Sequence, residues 1–372
     1  MSTHTNEAPQ ASFAHGPFRV LRTLGEGGYA KALAAQDIPS NSLMCIKVFQ
    51  KDNLKHKSTA LSILKELGVY RRLASAMPCP ATKFLMGLEL SFQTKNEICL
   101  AMDLMANDLC HLMMSRSSYC FEHACRWTVQ IAIGINALHE LGIIHRDIKA
   151  ENILIDIREN VRIADFGLSH LAAGARPLDR QGAYSTSVVG TPYCMAPEIL
   201  SNISNPGSMT YGPPVDWWAL GCVVYQLVSP NHKARFASSF AAILLIQSFQ
   251  PLFITQHDTL TYVAWCTNRG RTHRQFSSFQ IFKGIFGDLV CGLLDPSPSS
   301  RYGFREVSGH ESFLFACGTS EFSNAHSNAV KRSEVPESLP DLRCDLEKAR
   351  VLQRLAPWER PRVPNIDWFK PV

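Results

Sequence analysis

The chain lacks a C-x-x-C pair and any His/Cys cluster at zinc spacing, although its 12 cysteines are scattered from Cys45 to Cys344. A zinc-finger scaffold is excluded, and the thiols are expected free, in a reducing compartment. Long apolar runs are missing too: the longest, Phe240 to Ile246, falls far short of the ~20 residues that span a bilayer. No membrane span is expected. The opening residues, MSTHTNEAPQASFAHGP, have no apolar stretch of the secretory kind and carry Glu7 where a transit peptide would favour arginine. A soluble protein of the cytoplasm is expected, with the nucleus as a second location. Charge of one sign is also lacking, since 37 basic and 32 acidic residues leave a net charge of +5, too little to imply a nucleic-acid partner. Internal repeats are absent as well.

What is present suffices for a sizeable core: 372 residues, 46% of them hydrophobic, make one large domain or two modest ones. Residues 1–16 are polar and rich in Pro and Ala, and are expected to be a flexible tail. From Phe18 the pattern turns to short strands, FRVLRTL, KALAAQD and LMCIKVF, separated by Gly25 to Gly28 and by Pro39-Ser40-Asn41. An antiparallel meander is expected. Ile63, Leu67, Tyr70 and Leu73 recur at helical spacing, and FLMGLELSF with EICLAMDLM reads as a further strand pair. After Met105 the character changes. EHACRWTVQIAIGINALHELG sets Ala124, Trp127, Ile131, Ile135 and Leu138 on one helical face and stops at Gly142, while DWWALGCVVYQLV is apolar almost all round, the mark of a buried helix. From about Asn231 to Gln275 the period is lost, and helices joined by a long loop are expected. Beyond Phe315 the chain is polar and proline-bearing, an expected extended tail.

The chemistry-bearing residues come in a fixed order. LGEGGYAKA places glycines at 25, 27 and 28 between two strands, where backbone amides can approach phosphate oxygens. Lys47 sits inside an apolar strand, and Glu66 follows nineteen positions later on the expected helix. His145-Arg146-Asp147-Ile148-Lys149-Ala150-Glu151-Asn152 follows the long helix, and Asp165-Phe166-Gly167 comes one hairpin later. Two carboxylates and an amide thus converge on one loop edge. That is the oxygen set needed to hold Mg²⁺ against phosphates, with one acid left to accept a hydroxyl proton. Ala196-Pro197-Glu198, Asp216-Trp217-Trp218 and Arg301 complete the series.

This ordered set resembles the eukaryotic protein kinase catalytic domain, from about Phe18 to Phe313. HRDIKAEN, with Lys149 two after Asp147, is similar to the serine/threonine form, and FRVLRTLGEGG, SFQTKNEICLAMDL and DWWALG are similar to the AGC group. The resemblance implies an α+β, bilobal fold over residues 17–315. The small β-rich lobe would run to about 104 and the mainly helical lobe from about 105, with residues 316–372 as a C-terminal tail. It implies transfer of the γ-phosphoryl of ATP, with Mg²⁺, to Ser/Thr of protein substrates, after activation by an upstream kinase or by autophosphorylation. Lys47 would hold the α/β-phosphates and pair with Glu66; Asp165 and Asn152 would hold metal. Asp147 would accept the substrate proton, Lys149 would neutralise developing charge, and Thr191 would support both. Met102 matches the gatekeeper, followed by hinge residues Asp103, Leu104 and Met105. Asp108 would contact ribose, and Tyr29, Cys45, Glu151 and Leu154 would complete the nucleotide cleft. Glu198 and Arg301 would form a buried ion pair, with Asp216 structural beside them.

Departures from the pattern are Ala30 at the third glycine and Ala32 where a valine caps adenine. They are the sole support for the alternative, a nucleotide-binding pseudokinase scaffold. The stretch from DFG to APE is long, and the closing aromatic motif of the AGC tail is replaced by LAPWERPRVPNIDWF, whose Trp358 is expected against the small lobe. Arg146 is expected to be an unpaired cation awaiting an activation-segment phosphate on Ser187, four residues before Thr191, with Ser185 and Thr186 as alternatives. Glu151 and Asp108 are expected to favour arginine two or three residues before the acceptor.

Overall fold

The computed structural model describes residues 18–27, 30–55, 57–76, 80–228, 259, 262–263, 285–315 and 317–325. Residues 1–16, Gly28, Tyr29, Trp358 and, but for Thr259, Tyr262 and Val263, the stretch 231–275 lie outside the described residues.

Five short segments, β1 (Phe18–Glu26), β2 (Lys31–Asp37), β3 (Leu43–Gln50), β4 (Leu90–Gln93) and β5 (Glu97–Asp103), form one antiparallel sheet in the order β1-β2-β3-β5-β4. Successive strand residues point to opposite faces. Leu33, Ala35, Met44, Ile46, Val48, Cys99 and Ala101 accordingly gather with Phe18 into a small core on one face. The intervening Ala34, Leu100 and Met102 join the main core, and Lys47 is in register with Ala32 on one side and Leu100 on the other. The expected meander is therefore present. FLMGLELSF, however, pairs as a strand only from Leu90, because the Met86 amide donates to the Ile163 carbonyl at 2.8 Å and Leu85 bridges Ile163. The Met86 amide is thus satisfied outside the sheet, and the segment rejoins it at the Glu89 amide, which donates to Ala101 at 2.9 Å.

Helix α1 (Lys57–Ser75) buries Ile63, Leu67, Tyr70 and Leu73 at the anticipated spacing. Near its end, Arg72 donates to the carbonyls of Leu141, Gly142 and Ala172 at 3.1, 3.2 and 3.0 Å. After β5 comes the helical lobe, with β6 (Asn107–Asp108), α2 (Leu109–Ser115), α3 (Ser117–Glu140) and β7 (Ile143–Ile144). The short strands β8 (Ile153–Ile155), β9 (Val161–Ile163) and β10 (His170–Leu171) follow, then α4 (Pro197–Ser204) and α5 (Pro214–Val228), with α6 (Ile285–Leu293) and α7 (Phe304–Ser308) further along. Every residue of α5 is buried, which is why its sequence shows no polar face. It packs between α3 and α6, with Trp127 and Trp218 among the largest fully buried side chains. Helix α3 ends where Gly142 takes φ +73°, a conformation that glycine adopts at little cost. Among the described residues no helix is long and apolar enough to cross a membrane.

Candidate active site

The site lies where the inner face of the sheet, α1 and the loops after β7 and β9 meet. Lys47 Nζ donates to both carboxylate oxygens of Glu66, at 3.0 and 2.9 Å, and to Asp165 Oδ1 at 2.9 Å. Burial alone would lower the lysine pKa, but the two carboxylates override it and hold the ammonium charged well above its ordinary range. Asp165 is likewise pushed up by burial and pulled further down by Lys47, so its half-exposed carboxyl is ionised at neutral pH. Phe166 fixes the aspartate from behind: its ring packs edge-on against Tyr70 of α1 and against His145, with centroids 5.4 and 5.5 Å apart. Ser62 of α1 donates to the Gly167 carbonyl at 3.0 Å, a tie with no signal in the sequence.

The catalytic-loop candidates converge on Asp147. Thr191 donates to its Oδ1 at 2.7 Å, Asn152 Nδ2 to its Oδ2 at 3.0 Å, and Lys149 Nζ lies 3.1 Å from that same oxygen while donating to Thr191 at 2.7 Å. Gly190, before Thr191, has φ +119°, and a Cβ there would stand 2.5 Å from the Arg146 carbonyl, so only glycine lets the segment close on the loop. The loop itself is held from below. Buried Asp216, at the start of α5, accepts the backbone amides of His145 and Arg146 at 2.8 Å each, with His139 Nε2 also at 2.8 Å. Burial would raise its pKa, yet these donors keep it lowered. Arg146 and Asp165 both sit at positive φ, 68° and 64°, strain that such anchoring sustains.

The remaining nucleotide candidates lie on paired strands and the turns beside them. Cys45 and Met102 are partners across β3 and β5, and Asp108 and Leu154 across β6 and β8. Burial pushes the Cys45 thiol up to about 11, so it acts as a small apolar wall. Asp103 lies 3.8 Å from buried Arg162, and Met105 is buried at the hinge. Asp108 caps α2 by accepting the His111 amide at 2.7 Å, so one of its oxygens has a structural duty that the sequence reading omitted. Ala32 sits opposite Lys47, and Ala30 accepts the Gly27 amide at 2.9 Å.

The residues fit a phosphate ligand with a divalent ion. A Cβ at Gly25 would meet nothing within 4 Å and one at Gly27 only the Ala30 carbonyl at 3.7 Å, so the protein itself leaves these positions open on their outer side. Among the described residues no group of three or more His, Cys, Asp or Glu could hold a metal alone. Asp165 and Asn152 carry oxygen donors of the kind that a hard divalent ion takes together with phosphate and water.

One expectation changes. Arg146 is not an unpaired cation: it donates to the carbonyls of Leu168 and Ser169 at 2.7 and 3.2 Å, to Ser185 Oγ at 3.1 Å and to the Tyr211 hydroxyl at 3.2 Å. All four acceptors are uncharged, and the pairing of Ser185 with Tyr211 brings two of them together. Ser185, not Ser187, is the serine whose hydroxyl meets the guanidinium; the Ser187 carbonyl accepts from Tyr211. Thr186 lies between them. Glu151, expected to favour an upstream arginine, is exposed and accepts the Tyr193 hydroxyl. Glu198 and Arg301 meet as expected, at 2.6 and 3.0 Å.

A small sheet lobe and a helical lobe that bring lysine, carboxylates and amide together between them define a protein of the kinase type. The chain belongs to the protein kinase domain family, whose model matches residues 18–313. It is 33% identical over 215 residues to Rhodopsin kinase GRK7 of Homo sapiens, covering 57% of this chain and 35% of that protein. It is 34% identical over 228 residues to Rhodopsin kinase grk7-b of Danio rerio, covering 59% and 38%, and 31% identical over 221 residues to Atypical protein kinase C of Drosophila melanogaster, covering 59% and 34%. The chain thus spans little more than a third of the length of these curated relatives.

Proposed function

We propose that this chain is a serine/threonine protein kinase of AGC-like type that uses ATP and Mg²⁺. The observation that carries the reading is the convergence of Thr191, Lys149 and Asn152 on the Asp147 carboxylate, next to the Lys47, Glu66 and Asp165 cluster. ATP supplies the transferable phosphoryl group, and a divalent cation held by Asp165 and Asn152 offsets the charge of its phosphates. Lys47 binds and orients the α/β-phosphates. Asp147, kept in place by three donors, accepts the proton of the attacking Ser/Thr hydroxyl, and Lys149 faces the negative charge that develops on the phosphoryl oxygens. Incubating the purified chain with γ-labelled ATP, Mg²⁺ and a generic protein acceptor should give label on phosphoserine or phosphothreonine. Nucleotide binding without transfer would replace this reading by the pseudokinase scaffold.

Selection of arginine upstream of the acceptor falls chiefly on Glu151, since Asp108 also serves as a helix cap. A degenerate peptide library should show that enrichment; acidic or proline-directed selection would remove it.

Regulation by phosphate in the activation segment is supported by charge. Burial and the Arg146 cation lower the Lys65 pKa, and burial with Arg146, Lys65 and Arg72 lowers that of His170. These cations crowd the end of the segment that carries Ser185, the favoured phosphate site here, with Ser187 next. In the unmodified protein His170 sits below its usual 6.5, so the unfolded chain binds the proton more readily and stability falls as pH drops through about 6.5. A phosphate on Ser185 should offset the cationic part of this effect and raise the His170 titration midpoint in an NMR experiment. An unchanged midpoint in the phosphorylated protein would count against the site.

A further inference from the structure

Tyr193 lies two residues past Thr191, in the 3₁₀ turn Pro192–Cys194, and Glu151 lies two past Lys149, in the 3₁₀ turn Ala150–Asn152. Thr191 and Lys149 are joined at 2.7 Å, and both touch Asp147. The Tyr193 hydroxyl donates to Glu151 Oε1, so this bond forms a second rung outside the first, on the rim where a chain presenting its hydroxyl to Asp147 must lie. Glu151 is exposed and Tyr193 half-buried, packed against the main core. Burial and the adjoining Glu151 carboxylate raise the phenol pKa, so it remains a donor at neutral pH.

The bond does not use up the acid. An ionised carboxylate offers about four acceptor positions, so one phenol leaves enough for a two-pronged guanidinium. What the bond removes is the freedom of an exposed glutamate side chain, an ordering cost that a binding arginine would otherwise bear. The tyrosine ring beside the carboxylate adds a flat face on which a guanidinium stacks better than an ammonium does.

We propose that Tyr193 is a positioning residue for substrate selection, holding Glu151 ready for an arginine of the protein substrate and favouring it over lysine. The inference rests on the upstream-arginine reading above, and the test separates the two. Three peptides differing only in Arg, Lys or Ala at the selected upstream position are assayed with the wild-type chain and with Tyr193→Phe, Tyr193→Leu, Glu151→Gln and the Phe/Gln double variant. The wild type should favour Arg over Ala by about fivefold, the upper range for an exposed charge pair. Tyr193→Phe should shrink that ratio to about twofold through KM, and the double variant should fall no lower than Glu151→Gln alone, the non-additivity of groups acting as a unit. Tyr193→Leu, which also removes the ring, should narrow the preference for Arg over Lys. No arginine preference in the wild type overturns the substrate reading and this inference together. A preference lost in Glu151→Gln but intact in Tyr193→Phe overturns this inference alone. So does an equal fall on all three peptides in Tyr193→Phe, which would mark the bond as a structural strap.

Discussion

Asp147→Asn is expected to lower phosphoryl transfer by on the order of 10²–10³-fold or more while the protein stays folded. Asparagine keeps the shape of the side chain and its one oxygen can still accept from Thr191, now at 2.7 Å, but its NH₂ would face the Asn152 donor, now at 3.0 Å, and it cannot take up the hydroxyl proton. It also leaves Lys149 without the carboxylate now 3.1 Å away. Asp165→Ala should be as severe by another route, since Lys47 loses one of its two carboxylates and the proposed divalent ion would lose its anionic oxygen. Steady-state assays beside a thermal melt check both. More than a tenth of wild-type activity in either variant would overturn the assigned roles.

Glu198→Gln should be the largest stability change. Arg301 is fully buried; besides the two Glu198 oxygens it donates to the carbonyls of Pro214 and Asp295 at 2.9 Å each and stacks 5.1 Å from the Trp218 ring centroid. Without the carboxylate the guanidinium stays in the core with only neutral acceptors, at a cost of about 3–5 kcal/mol. Denaturant unfolding would show a lower midpoint with unchanged slope. A loss under about 1 kcal/mol would mean that water reaches Arg301.

Much of this was readable from the chain because the period of the apolar residues and the order of the polar ones agree. Lys47 stands out as a cation within an apolar strand, and α5 announces its depth by having no polar side. Other features follow from tertiary contact and leave no local trace. FLMGLELSF has the composition of a strand, yet Met86 finds its partner in Ile163, far along the sequence. Arg146 looked unpaired because its acceptors are backbone carbonyls and hydroxyls from segments that become neighbours only on folding. His139 offered a faint hint, a polar residue on the buried side of α3, but its partner Asp216 lies 77 residues away. Tyr193 was visible in GTPYCMAPE, though nothing in that string says that its hydroxyl would reach Glu151.

The three carbonyl contacts of Arg72 have a mechanical meaning. They pin the far end of α1 to the helical lobe, whereas Glu66, six residues back, is held by Lys47 of the sheet. At a rise of 1.5 Å per residue the helix is a lever arm of about 9 Å between pin and acid. A tilt of about 20° around the pin sweeps Glu66 through ~3 Å, roughly doubling its separation from the ammonium and breaking the pair. The helix need not leave its seat to disarm the cleft. Such a tilt also pulls on the Ser62 bond to Gly167, so the helix and the segment after Asp165 move together.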